Sequence, residues 1–147
     1  MKLFSRILLF CLLQTVFLLN SNAQGGNAEP WSAKQLLDPA ELAKTINAGK
    51  ALPYIYCIGP SAVIKGSVDI GPGNEKSSIE KLKAAVSKLP KDAPIVLYCG
   101  CCPFRNCPNI RPAFSLLNQL KFTNHKLLNL ATNIRVDWIS KGYPVAQ

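Results

Sequence analysis

Whatever chemistry the body of this chain performs is carried by its thiols. Cys99, Cys101, Cys102 and Cys107 stand within nine residues of one another, interleaved with Gly100, Pro103, Phe104, Arg105, Asn106 and Pro108, and Cys57 stands alone upstream. A cysteine acts as a nucleophile, a soft-metal ligand or half of a disulfide, according to its ionisation and its neighbours. The run Cys-x-Cys-Cys-x4-Cys offers four soft ligands (Cys99, Cys101, Cys102, Cys107) of the kind that suit Cu(I) or Zn(II), although the spacing is not that of a standard zinc finger. As disulfide partners, Cys101 and Cys102 are poor for each other, because a vicinal bond strains the backbone, and either pairs more easily with Cys107. A disulfide there would brace the loop; one to Cys99 would let a neighbour resolve a modified Cys99. Arg105 and Arg111 bring positive charge near the same segment, which suits an anionic substrate.

The surrounding pattern places these thiols. Ile95-Val96-Leu97-Tyr98 is a short apolar run that reads as a buried strand delivering Cys99 at its carboxyl end. Asn109 reads as the cap of a following helix whose apolar face is Ala113, Leu116, Leu117 and Leu120. Upstream, Asp38-Pro39-Ala40-Glu41 starts a helix closed by Gly49, and residues 52–58 and 64–70 contain extended pieces. Ser77-Ser78-Ile79-Glu80 has the form of a capping box for a helix that Pro90 stops. Residues 125–130 make another strand, and residues 133–141 a last helix with Ile134 and Trp138 one turn apart. Strands alternating with helices predict an α/β fold with a mostly parallel central sheet and helices on both faces. Ligands of such sheets bind at the carboxyl ends of the strands. Cys57 and Cys99 both fall near such ends, so Cys57 reads as a small buried residue that is also a candidate partner of Cys99. His125 reads as surface or structural, and Trp138 as a core anchor.

The first residues stand apart. Lys2 and Arg6 precede an apolar stretch over residues 7–19, and Ser21-Asn22-Ala23 follows. This is the form of a secretory signal peptide over residues 1–23, cleaved after Ala23, with a polar leader over 24–30 and one domain over 31–147. Secretion or a periplasmic location is therefore expected, with no membrane span after cleavage. Cys11 would leave with the signal. The formal net charge of +9 favours anionic partners. Its scattered lysines lack an aromatic stripe or a nucleic-acid motif, so nucleic acid is not an expected partner.

Several segments together resemble the rhodanese-like family: Ile95-Val96-Leu97-Tyr98-Cys99, the helix through Leu116-Leu117-Asn118-Gln119-Leu120, the strand Leu128-Asn129-Leu130, and Trp138 followed by Gly142-Tyr143-Pro144-Val145. The resemblance implies a thiosulfate sulfurtransferase-like enzyme in which Cys99 carries a persulfide. Arg105 would be the anion-binding residue and Arg111 its alternative. Gly100, Cys101 and Cys102 would line the substrate loop, whose N–H groups, with the helix N-terminus, would cradle the anion. The partners implied are a small anionic sulfur donor and a thiol acceptor, with no cofactor and a monomeric chain. One departure stands out. The family's usual active loop is Cys-x4-Arg, whereas Cys99 to Arg105 is Cys-x5-Arg, and the added residues are rich in Cys and Pro. Two other readings stay open: a non-catalytic redox or Cu/Zn-binding module built on the cysteines, and a phosphatase or arsenate-reductase-like enzyme using Cys-x5-Arg.

Overall fold

The computed structural model describes residues 29–147. The signal sequence expected over residues 1–23 and nearly all of the polar leader lie outside the described residues. Within them, five parallel strands form one sheet: β1 (Leu36–Leu37), β2 (Tyr54–Cys57), β3 (Ser67–Asp69), β4 (Ile95–Tyr98) and β5 (His125–Leu128). Their spatial order is β1-β5-β4-β2-β3, which puts β4 in the centre. Four α-helices, α1 (Pro39–Ala48), α2 (Lys76–Val86), α3 (Ile110–Gln119) and α4 (Ile134–Asp137), complete an α/β architecture. Among the described residues, no helix is long and apolar enough to cross a membrane.

The alternation of side chains along β4 builds two cores. Ile95 and Leu97 face one side, where Leu82 and Val86 of α2 and Ile110, Ala113, Phe114 and Leu117 of α3 cover them. Val96 and Tyr98 face the other, beneath Leu42, Ala43 and Ile46 of α1 and beside Trp138. All four β4 residues are buried, as expected of a strand covered on both faces. Burying this much apolar surface on each side holds the strand in register, because a slip of one residue would exchange the two cores.

The local signals behave unevenly. Asp38 caps α1 as expected, its Oδ1 accepting from the Ala40 N–H at 2.7 Å. The capping box at Ser77 does not form. Helix α2 begins two residues earlier than that box would set, at Lys76, because the preceding turn is pinned from outside: the Gly73 N–H donates to Ile58 O at 3.0 Å, and the Asn74 N–H donates to Asn109 Oδ1 at 3.2 Å. The helix expected over residues 133–141 divides into α4 and a single 3₁₀ turn, Ile139–Lys141. The break falls at Trp138, which leaves helical geometry (φ −132°, ψ −64°) to bury its ring completely and donate from Nε1 to Pro144 O at 2.9 Å. Of the two roles expected of His125, surface and structural, it takes the structural one. It is buried against Phe114, a ring nitrogen donates to Asn118 Oδ1 at 2.9 Å, and burial lowers its pKa.

Candidate functional site

Cys99 is the first residue beyond the central strand, at the carboxyl edge of the sheet, and it continues the side of β4 that faces α2 and α3. It is only 3% exposed. Two glycines make its position possible. Gly59, just past the end of β2, packs directly on it; a Cβ there would overlap the Cys99 carbonyl oxygen and lie 2.9 Å from its Sγ. Gly100 holds a left-handed φ of +87°, turning the chain so that Cys99 and Cys101 face each other, and its carbonyl accepts from the Ile134 N–H at 2.9 Å. The rest of the loop is anchored where Phe104 N–H donates to Leu130 O at 3.1 Å and opens a 3₁₀ turn, Phe104–Asn106.

Around Cys99 the loop gathers sulfur. The Sγ atoms of Cys99 and Cys101 are 3.2 Å apart, and those of Cys101 and Cys102 are 3.4 Å apart. The sulfurs of Cys99, Cys101 and Cys107 all lie within 4.8 Å of one another. Cys107 is buried, Cys102 half-buried and Cys101 exposed, and all are free thiols. Asn109 completes the group, its Nδ2 donating to Cys99 Sγ at 3.2 Å while its Oδ1 accepts from the Asn74 N–H.

These contacts decide the ionisation of the cluster. The Cys107 thiol donates to Cys99, and the Asn109 amide, the Cys101 N–H and the Cys101 thiol add further donors. Together they outweigh the burial that opposes ionisation, and the pKa of Cys99 falls to about 5. Its neighbours go the other way. Burial, then hydrogen bonding to the Cys99 and Cys102 sulfurs, pushes Cys101 up to about 12. Hydrogen bonding to Cys99, with burial, raises Cys107. The arrangement is one thiolate clasped by two protonated thiols and an amide. A thiolate is the form of cysteine that can act as a nucleophile or bind a soft metal.

The structure therefore brings together Cys99, Gly100, Cys101, Cys102 and Cys107 and leaves other expected residues outside. Arg105 turns outward, pairing with Glu29 at 3.1 Å and lying over the Phe104 ring. Arg111 lies over the Trp31 ring, and its Nη2 donates to Arg105 O at 3.4 Å. Neither guanidinium is among the groups that lower Cys99. A side-chain amide, a loop N–H and two thiols donate instead. Cys57 belongs to the other core. It pairs in register with Tyr98, which faces away from Cys99, and its thiol donates to Ser61 O at 3.1 Å.

Asn109 is the site residue that sequence reasoning assigned to another task. It occupies the N-cap position of α3 but has helical backbone angles and makes no capping bond with its side chain. Nothing local distinguishes a capping Asn from one whose amide reaches a cysteine ten positions upstream. Gly59 likewise carries no local signal of its role, since its contact is made by a segment forty residues away.

Three thiols at these separations are also a donor set for one soft cation, of the Cu(I) or Zn(II) type. No protein-family model and no curated protein matches this chain.

Proposed function

We propose that this chain is an exported rhodanese-like sulfurtransferase that carries sulfane sulfur on Cys99. The observation that carries the reading is the single stabilised thiolate at the carboxyl end of the central strand, held by Asn109, Cys101 and Cys107. The Cys99 thiolate attacks the outer sulfur of a thiosulfate-like donor. A bond forms between Cys99 Sγ and that sulfur, the donor's S–S bond breaks, and sulfite leaves with the bonding electron pair. The persulfide is then attacked by an acceptor thiolate, which takes the outer sulfur and returns the electron pair to Cys99. The donors that stabilise the thiolate before the first step stabilise it again as leaving group in the second. Arg105 and Arg111 act on the approach of the anionic donor through their charge, since neither touches the thiol.

The test is mass spectrometry of the reduced protein after thiosulfate. A mass increase of about 32 Da, accompanied by sulfite and lost in Cys99→Ser, is the expected result. Unchanged mass with no sulfite released would overturn the reading.

The clustering of three sulfurs favours a second reading, a soft-metal site on Cys99, Cys101 and Cys107. Stoichiometric copper or zinc retained through a chelator wash, together with no sulfur adduct, is its signature. The phosphatase-like reading has less support, because it needs Arg105 beside the nucleophile and that side chain is paired with Glu29.

A further inference from the structure

A buried nucleophile leaves a question of delivery. Cys99 is 3% exposed, so a sulfur bonded to it is far less open to an acceptor the size of glutathione than to a small one. Cys101 is exposed, and its Sγ lies 3.2 Å from that of Cys99. The turn at Gly100 that makes this approach is held on the outside by the Ile134 N–H, so the facing of the two sulfurs belongs to the folded loop. Cys107 is also close, but it is itself buried.

Resting on the reading of Cys99 as the persulfide carrier, we propose that Cys101 is a second sulfur carrier. It takes the sulfane sulfur from Cys99 and presents it at the surface to a thiol acceptor too large to enter the loop. A persulfide's outer sulfur stands about 2 Å from the sulfur that bears it, which brings it within reach of a thiol 3.2 Å away. In the transfer, a bond forms between Cys101 Sγ and the outer sulfur, and the Cys99 Sγ bond to that sulfur breaks. The electron pair returns to Cys99 as thiolate, and the proton of the Cys101 thiol passes to the transferred sulfur. Cys99–S–S⁻ and Cys101–SH thus become Cys99–S⁻ and Cys101–S–SH, with no oxidant or reductant consumed. Direction comes from the leaving group. Attack on the outer sulfur expels the Cys99 thiolate, which Asn109 and Cys107 already stabilise. Attack on the inner sulfur would expel hydrosulfide and leave a Cys99–Cys101 disulfide.

The test compares the reduced full protein with Cys101→Ser and Cys101→Ala, using thiosulfate as donor and two acceptors of different size, cyanide and glutathione. Both variants are expected to release one equivalent of sulfite, at a rate lowered by the loss of one donor to Cys99, and in both the rate of transfer to glutathione falls by about tenfold or more relative to the rate of transfer to cyanide. Fragmentation of the wild-type peptide spanning residues 92–105 should find the added sulfur on Cys101 as well as Cys99. A purely structural role for Cys101 would slow both acceptors alike, and that result would overturn the proposal. So would undiminished transfer to glutathione, or a Cys99–Cys101 disulfide formed with release of sulfide; in either case the Cys99 persulfide reading survives. Absence of the sulfite burst in wild type and variants alike would remove that reading, and the relay with it.

Discussion

Cys57 and Cys99 end neighbouring parallel strands at the same edge of one sheet, yet they are chemically opposite. Burial raises the pKa of Cys57, whose thiol spends its proton on the Ser61 carbonyl. Cys99 is buried almost as deeply and sits at about 5. Depth therefore does not separate them. What separates them is the hydrogen-bond character of the groups each one faces. Cys57 gives its proton to a carbonyl, and the Gly59 N–H and Tyr98 hydroxyl are too little to offset its burial, whereas an amide, an N–H and two S–H donors outweigh the burial of Cys99. The reason they face different groups is register. Cys57 lies opposite Tyr98, so Cys99 is one residue further on and points to the other face of the sheet.

The comparison is broken most severely by removing the nucleophile. Cys99→Ser is expected to lower the rate of sulfite release from thiosulfate by at least about a thousandfold, whereas Cys57→Ala leaves that rate near wild type. Equal losses in both variants would show that the two strand ends form one site. Asn109→Ala comes next. In wild type, alkylation of Cys99 by iodoacetamide should be nearly constant above about pH 6 and fall as pH drops through about 5, because the thiolate is the reactive form and protonation removes it. Without the amide the thiolate loses a donor, so the midpoint should move upward by about one pH unit. An unmoved midpoint would mean that the cysteine neighbours alone hold the charge.

A milder and purely structural effect is expected at the junction of the two strand ends. Gly59→Ala forces a methyl group against Cys99 and its carbonyl, and overpacking of this kind costs about 1–3 kcal/mol, read as a lower midpoint in urea denaturation. The smallest effect belongs to Arg105→Ala. Its exposed pairing with Glu29 contributes at most about 0.5 kcal/mol, so thermal stability should hold. A rise of about threefold in KM for thiosulfate, with the alkylation midpoint unchanged, is the expected kinetic result. A midpoint that shifts in this variant would return the guanidinium to the thiol.

Much of the frame was legible because its signals are local. The apolar run Ile95-Val96-Leu97-Tyr98 is short, continuous and rich in β-branched residues, and it is the buried central strand. Asp38-Pro39 starts a helix by interactions within four residues, and Asp38 performs that capping. Where a segment answers to something distant, the same kind of reading failed. Ser77 loses its capping role because Ile58 and Asn109 pin the preceding turn, and Trp138 interrupts its helix because the core and the Pro144 carbonyl claim its ring. The family resemblance implied Arg105 at the anion site, but a Pro-rich loop containing a 3₁₀ turn carries it outward to Glu29.

By itself the sequence determined the alternation of strands and helices and the thiol at a strand end, since periodicity and turn chemistry act over a few residues. It also determined that four cysteines share one loop. Only the tertiary structure decided which thiol is ionised. That depends on the side of the sheet reached by Cys99, on the absence of a side chain at Gly59, and on an amide brought from Asn109, all of which are contacts between segments that the chain brings together only when both cores have closed.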